Sequence, residues 1–349
     1  PNPRITHVEE KEVKAEEKAS FSAALSGAEP ESVLEVSSIP PLNLEQRINE
    51  LLQYPHGCAE QITSQAFPQL ALNDLLTLTP EQKQQTETNI KEVINRLRSY
   101  QTPEGGFAYW PGGDYISSWV SIYVVQFLAA AQSQGYFVPV EMLQNAVNYL
   151  RRVANSWNMN DSWAQQEQAY RLYVLALVNK PDQAAMNRLK ESELKRATSQ
   201  WLLASAYELA GHHEVAEKMV NNISQDVSPY RQTGGSFGSD TRDMAIILQS
   251  LVTLDKQQDA YRMLEKISKA MGSNRWYSTQ ETAYSLHAAA LYVRKYLGSQ
   301  QGITILVTTP SGKENVKTEK TIYQQKLKIK DGTVSAEITN NGKGNLYAG

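Results

Sequence analysis

A chain of 349 residues with 41% hydrophobic side chains is long enough to bury one large core or two moderate ones. A formal net charge of -3, from 34 basic and 37 acidic residues, leaves no electrostatic footprint for nucleic acid or an acidic membrane surface. A single cysteine excludes an intrachain disulfide framework and a cysteine-rich metal site, and no apolar run is long enough to cross a bilayer.

Residues 1–40 are charged at first, from Glu9 to Lys18, and then read as extended. Ser20–Leu25 and Val33–Val36 are short strands bounded by Gly27 and Pro30, with Ile39-Pro40-Pro41 as a stop. The sequence begins at Pro1 and stops at Gly349 in strand-like sequence, as expected of a piece of something larger. Leu44, Ile48, Leu51 and Leu52 share one helical face that leads into the turn holding the only cysteine.

In that turn Pro55 and Gly57 punctuate the backbone, and from Ala59 onward the residues favour a helix that Pro68 bends or interrupts. Cys58 therefore stands at a helix entrance with Gln61 three residues on, the spacing at which capping-box side chains meet. If the thiol attacks the Gln61 carbonyl and ammonia leaves, the two side chains become joined as an internal thioester. An amine or hydroxyl can then displace the thiolate and be acylated, and the helix dipole favours the thiolate as it departs. Cys-x-x-Gln alone is a weak signal, because a lone cysteine is more often a small buried hydrophobe.

Beyond the turn, helices follow one another. Thr79-Pro80-Glu81-Gln82 opens one, with Ile90, Val93, Ile94 and Leu97 on its face, and Pro139 opens another with the stripe Leu143, Val147, Leu150 and Ala154. Further apolar helical runs lie at 116–133, 162–179, 195–210, 212–223, 240–254, 258–271 and 278–297. Aromatic turns recur before helix starts: Gly105–Trp110, Gly234–Gly238 and Arg275–Gln280. A recurring helix pair implies a solenoid or a closed ring, since each unit needs neighbours to bury its apolar face.

From Ile303 the period changes to two, through Ile303, Ile305 and Val307, then Leu327 and Ile329, then Val334, Ala336 and Ile338. Lys330-Asp331-Gly332-Thr333 carries a hairpin signal. Six lysines from Lys313 to Lys330 read as a solvated sheet face, since Glu314 and Glu319 interrupt them.

The run Tyr54-Pro55-His56-Gly57-Cys58-Ala59-Glu60-Gln61-Ile62-Thr63-Ser64 closely resembles the thioester signature of the alpha-2-macroglobulin and complement family. Ala59 looks like the bacterial branch. Gly106–Trp110 followed by Ser118-Trp119-Val120, and Tyr277-Ser278-Thr279-Gln280-Glu281-Thr282, are similar to two further segments of that family. The resemblance implies a mainly α fold: an α/α toroid thioester domain at 41–300 inserted into a CUB-like β-sandwich made by residues 1–40 and 301–349. It implies a thioester between Cys58 and Gln61, with Glu60 as the acidic residue between them and no other cofactor or metal. Gly57 and Gln280 belong to the matching motifs, and Tyr54, Tyr109, Trp110 and Trp119 are candidates for shielding the bond from water, with plain core packing favoured for Trp119.

The same resemblance implies a single-use covalent inhibitor of proteases, not an enzyme, that acylates lysine amines of a protease after cleavage of a bait elsewhere in the parent chain. Its expected partners are proteases and the rest of that parent, with no nucleic acid and no direct membrane contact. The expected location is the periplasm or cell envelope, the parent being membrane-anchored. The complement histidine that directs transfer to hydroxyls has no counterpart between Cys58 and His212, so amines are the expected nucleophiles. His56 reads as exposed spacer, His212-His213 as a helix opening without a carboxylate at ligand spacing, and His287 as a packed core histidine. Two alternatives stay open: a toroid kept for protein interaction with no live thioester, and a terpene-cyclase or prenyltransferase-like enzyme, for which Asp240 and Asp243, interrupted by Thr and Arg, are the only close acidic pair at a turn.

Overall fold

The structure, a computed structural model, describes residues 9–26, 30–42, 52, 57–159, 161–221, 223–272, 277–298 and 302–349. Strands come from both ends of the chain. β1 (Lys11–Val13), β2 (Lys18–Ala24) and β3 (Val33–Ser37) precede the helices; β4 (Ile303–Thr309), β5 (Gly312–Thr318), β6 (Ile322–Lys326), β7 (Thr333–Asn340) and β8 (Leu346–Ala348) follow them. They form two four-stranded antiparallel sheets, ordered β1-β8-β3-β6 and β2-β7-β4-β5, so each sheet is completed only by strands from the opposite end. The period-two pattern turns Ile303, Ile305, Val307, Ala336 and Ile338 inward, where they share one core with Val13, Leu34, Val36 and Leu346 of the other sheet.

The Lys330–Thr333 turn forms, with Asp331 at φ 51° and Gly332 at φ 71°, but it does not join neighbouring strands. β7 is already flanked by β2 and β4, and β6 pairs with β3 in the other sheet, so the turn carries the chain between sheets. β1 lies in the charged stretch that shows no period, with Val13 its only buried residue. The apolar face at Leu44, Ile48 and Leu51 lies outside the described residues.

Twelve α-helices are present among the described residues: α1 (Ala59–Ala66), α2 (Gln69–Leu75), α3 (Pro80–Leu97), α4 (Ser118–Ser133), α5 (Val140–Ser156), α6 (Ser162–Leu177), α7 (Gln183–Glu191), α8 (Ala197–Leu209), α9 (His213–Val220), α10 (Asp240–Thr253), α11 (Gln257–Met271) and α12 (Thr279–Tyr292). Pro68 separates α1 from α2. Contacts run α1 to α4, α4 to α6, α6 to α8, α8 to α10, α10 to α12 and α12 back to α1, which closes an inner ring of six helices. These inner helices are buried nearly all round. The outer helices α3, α5 and α11 bury only one stripe, for α11 Ala260, Met263, Leu264, Ile267 and Met271. Only α7 escapes the sequence pattern, because its buried face is limited to Ala185, Met186 and Leu189.

The strands group with residues 72–79 as one compact unit, and the helical ring forms a second. The N-termini of α1 and α12 meet, where the Thr279 hydroxyl donates to Glu60 Oε1 at 3.2 Å. The turn before α4 joins the start of α1 to the turn before α10, since Tyr109 O accepts from Ala59 N–H and the Tyr109 hydroxyl donates to Gly235 O.

Candidate functional site

The first of those N-termini carries the cysteine. Cys58 is the N-cap of α1, with extended backbone at φ -73° and ψ 170°. The Gln61 side chain turns back so that its Oε1 accepts from the Cys58 N–H at 3.1 Å, while the Gln61 N–H points at Cys58 Sγ. This is a reciprocal capping box with sulfur in place of the usual hydroxyl. Gly57, at φ +116°, is pressed against the same carboxamide: a Cβ there would stand 2.1 Å from Gln61 Oε1 and 3.0 Å from its Cδ. The turn is tied from outside by the Tyr100 hydroxyl, which donates to Gly57 O at 2.9 Å, and by Ala59 N–H, which donates to Tyr109 O at 2.9 Å.

The two ends of the box differ in exposure. Cys58 is 9% exposed, whereas Gln61 is open to solvent. Burial pushes the thiol up from its ordinary range and the nearby Glu60 adds to this, against the Gln61 N–H, which favours thiolate. Desolvation therefore outweighs the helix N-terminus at this sulfur. Glu60 is 4% exposed and its carboxyl is likewise pushed up by burial, although the Ser64 hydroxyl at 2.8 Å and the Thr279 hydroxyl at 3.2 Å donate to it. Behind it, Ser64 Oγ lies 3.2 Å from the Tyr123 hydroxyl, and Tyr123 stacks on Tyr284 with ring centroids 5.2 Å apart.

Thr279 and Gln280 reach Glu60 from the start of α12, which has a capping box of its own: Ser278 N–H donates to Glu281 Oε2 at 2.6 Å and Glu281 N–H to Ser278 Oγ at 3.2 Å. Two boxed helix starts, far apart in the chain, thus meet through Glu60. A ring of helices with a cysteine–glutamine cap at one inner N-terminus is the arrangement to compare with known proteins.

Residues 32–168 match the family model of the A-macroglobulin TED domain. Alpha-2-macroglobulin from Escherichia coli K12 is 28% identical over 338 residues, covering 91% of this chain and 20% of its own. The chain is a homologue of the bacterial alpha-2-macroglobulins. It spans about a fifth of the length of the curated relative. Among solved structures, native E. coli alpha-2-macroglobulin from domain MG7 to the C-terminus superposes with a TM-score of 0.73 at 24% identity, covering 97% of this chain and 55% of that one. Salmonella alpha-2-macroglobulin reacted with methylamine gives the same TM-score of 0.73 and identity of 24%, covering 97% of this chain and 23% of that one. At that identity the likeness is one of fold.

In this macroglobulin relative the aromatic candidates separate. Tyr54 lies outside the described residues, as does His56. Tyr109 is half-buried beside the turn, in the electrostatic field of Cys58 and Glu60, and its hydroxyl donates to Gly235 O at 3.1 Å. Trp110 points away and is 61% exposed. Trp119 is core: its ring lies 4.9 Å from Tyr170, with the Arg242 guanidinium 4.4 Å over it. Gln280 is fully buried behind Glu60. His287 packs its half-buried ring on Phe67, and His213 does meet a carboxylate, Glu208 at 2.8 Å, although exposed and with no third ligand. Among the described residues no group of three His, Cys, Asp or Glu is placed to hold a metal ion.

Asp243, half of the acidic pair considered for cyclase chemistry, is fully engaged. It accepts from Arg196 at 3.0 Å, Thr198 at 3.2 Å, Gln166 at 3.1 Å and Arg242 at 3.1 Å. A carboxylate so neutralised is a hub of α6, α8 and α10, not an acid facing a cavity. Sequence reasoning missed the polar column inside the ring, where the Tyr284 hydroxyl donates to that of Tyr170 at 2.8 Å and Gln126 donates to Gln249 at 2.9 Å. Its signal was present, in glutamines and tyrosines set within otherwise apolar helices.

Proposed function

We propose that Cys58 and Gln61 form an internal thioester and that the chain is the thioester-bearing part of a bacterial alpha-2-macroglobulin-like endopeptidase inhibitor. The observation that carries this reading is the reciprocal cap, in which Gly57 holds the Gln61 carboxamide against the Cys58 backbone while the Gln61 N–H faces the sulfur. Formation is balanced without any cofactor: Sγ bonds to Gln61 Cδ, the Cδ–N bond breaks, and ammonia leaves with the thiol proton. In the capture step a lysine amine of the attacking protease adds to the same carbon, the C–S bond breaks, and the proton shed by the nitrogen goes to the thiolate. Each molecule reacts once, so the chemistry is that of a covalent trap, not of a turnover enzyme.

Several supports come from outside the turn. The E. coli relative is described after activation by trypsin and the Salmonella relative after reaction with methylamine, a small amine of the class this carbon would accept. The parent chain would supply the bait and the CUB-type sandwich would be shared between residues 1–40 and 301–349. By the same homology the parent resides in the periplasm or cell envelope, anchored to the membrane. Glu60, Gly57 and Gln280 hold the boxed helix start in shape, and Tyr109 lies beside it.

The test is the intact mass of freshly purified protein, with and without methylamine, beside a thiol titration. The expected mass is lower than the sequence mass by one ammonia, and methylamine adds to it with release of one thiol. Cys58→Ala should show neither change while keeping its helical fold. Unmodified sequence mass with a free thiol from the outset, and no methylamine uptake, would overturn the reading.

A further inference from the structure

The buried cation Arg171 has no role in the function proposed above. It stands midway along α6 and is 1% exposed. Its Nη1 donates to Gln168 Oε1, and its Nη2 donates to Ser118 Oγ at 2.6 Å and to Glu167 Oε1 at 2.8 Å. The Nε–H finds no acceptor among the described residues. A guanidinium out of water is costly unless its charge and its donors are all answered, and here neither is complete. Burial pulls the Arg171 pKa down, and Glu167, itself 32% exposed, restores only part of the loss.

That side chain lines a cavity. About 190 Å³ of space lies between the last turns of α5 and the first turns of α6, walled by Val153, Trp157, Met159 and Ala164 together with Glu167 and Arg171. Trp157 brings a second donor: its Nε1 is buried and likewise has no acceptor among the described residues. The remaining lining residues, Ser156 and Asn158, are exposed. Two buried N–H groups without acceptors, beside a cation that is only partly neutralised, suit an acceptor that carries negative charge. The walls set its size and shape. Sites for drug-sized molecules begin near about 300 Å³, so this one takes a shorter group, and the apolar side chains suit a carbon stem better than a compact oxyanion with four oxygens to satisfy.

We propose that this cavity binds one carboxylate on a short aliphatic stem, its oxygens accepting from Arg171 Nε–H and Trp157 Nε1–H and its stem lying against Val153 and Met159. A free short-chain acid and the glutamate side chain of a polypeptide present the same group. Glu167 tunes the site. It lines the same cavity with the same sign of charge as the ligand, so it steadies Arg171 and at the same time opposes a second carboxylate. A cavity that merely holds water would show no preference for charge, and loss of Glu167 would not favour any solute. The site shares no residue with the cysteine turn, so it stands whether or not the thioester forms.

The experiment follows the Trp157 indole N–H resonance of the isotope-labelled chain, assigned by its loss in Trp157→Phe, during titration with sodium butyrate and with butyramide at constant ionic strength. Butyrate should give a saturable shift at concentrations about tenfold below any effect of butyramide, the ratio expected of a charge-assisted hydrogen bond over a neutral one. Arg171→Lys, which keeps the charge and deletes the Nε–H, should weaken butyrate about tenfold, and Glu167→Gln should tighten it about tenfold. No saturable shift, an equal response to butyramide, or a Glu167→Gln chain that does not bind more tightly would overturn the proposal. The peptide acetyl-Ala-Glu-Ala-amide separates the two sources. Saturation of the same resonance by the peptide below the butyrate concentration upholds the site as one for a polypeptide carboxylate, and saturation by butyrate alone upholds it as one for a free acid. Should Arg171→Lys fail to fold, Glu167→Gln, a change of the same shape at a partly exposed position, decides alone.

Discussion

At the scale of single residues, the turn depends on a hydrogen atom where every other amino acid has carbon. Gly57→Ala places a methyl 2.1 Å from Gln61 Oε1 and on a backbone at φ +116°, so either the carboxamide leaves its cap or the turn changes shape. The expected outcome is a loss of about 1–3 kcal/mol of stability by chemical denaturation, together with loss of methylamine uptake. Retention of both would mean that the carboxamide is not held from behind. Cys58 offers a second measurement. Its thiol is pushed up by burial, so in protein carrying the free thiol the alkylation rate should go on rising well above pH 8.5, about where an ordinary thiol is half ionised. A raised folded value also means that stability from this group is lost, not gained, as pH climbs through it. A midpoint at or below the ordinary value would show that the helix N-terminus wins over desolvation.

Between elements, the argument concerns two helix starts that meet. Glu60 on α1 and Glu281 on α12 are both buried carboxyls, yet they are shifted in opposite directions. Burial pushes Glu60 up, and its partners are neutral hydroxyls and an amide. Burial pushes Glu281 the same way, but the Ser278 N–H and Arg231 overcome it and hold the carboxyl below its usual range. The signs follow. Glu281 contributes stability above its unfolded pKa that is lost as pH falls through the folded one; Glu60 contributes below its unfolded pKa and loses that contribution as pH rises through its folded one. Glu281→Gln should therefore cost about 1–2 kcal/mol at neutral pH, the partly exposed Arg231 limiting the figure, and the deficit should shrink in acid. Glu60→Gln should be neutral to stabilising at neutral pH, with the difference vanishing in acid. Urea midpoints at two pH values read both, and parallel behaviour of the two variants would contradict the assignment. The Cys58 and Ser278 caps were legible because each motif is local, a polar residue three positions before a Gln or Glu. The Glu60–Thr279 bond joins residues 219 apart, and no period in the sequence reports such a pairing. The hairpin 231–239 was visible only as a glycine-rich turn, since its contact with Tyr109 is equally non-local.

For the molecule as a whole, the sequence showed which segments are helical and which are extended, because periods of 3.6 and two survive in the inner faces of helices and strands. It did not show the partners. β6 follows β5 in the chain yet pairs with β3, and the turn at Asp331-Gly332, locally a hairpin, links two sheets. The dependence of each sheet on both chain ends leads to the last prediction. β7 pairs with β2 and with β4, and β8 pairs with β1 and with β3, so removing residues 333–349 takes a partner from four of the remaining six strands and splits both sheets. The inner ring closes on itself through α1 and α12 and needs none of those strands for its own contacts. A chain ending at Gly332 should thus lose hydrogen-exchange protection throughout 18–24, 33–37 and 303–309 while the amides of α4, α6, α8 and α10 stay protected. Protected strands would mean that the sandwich tolerates the loss of its central β7. Loss of protection in the helices as well would mean that the ring, although closed by its own contacts, folds only together with the strands.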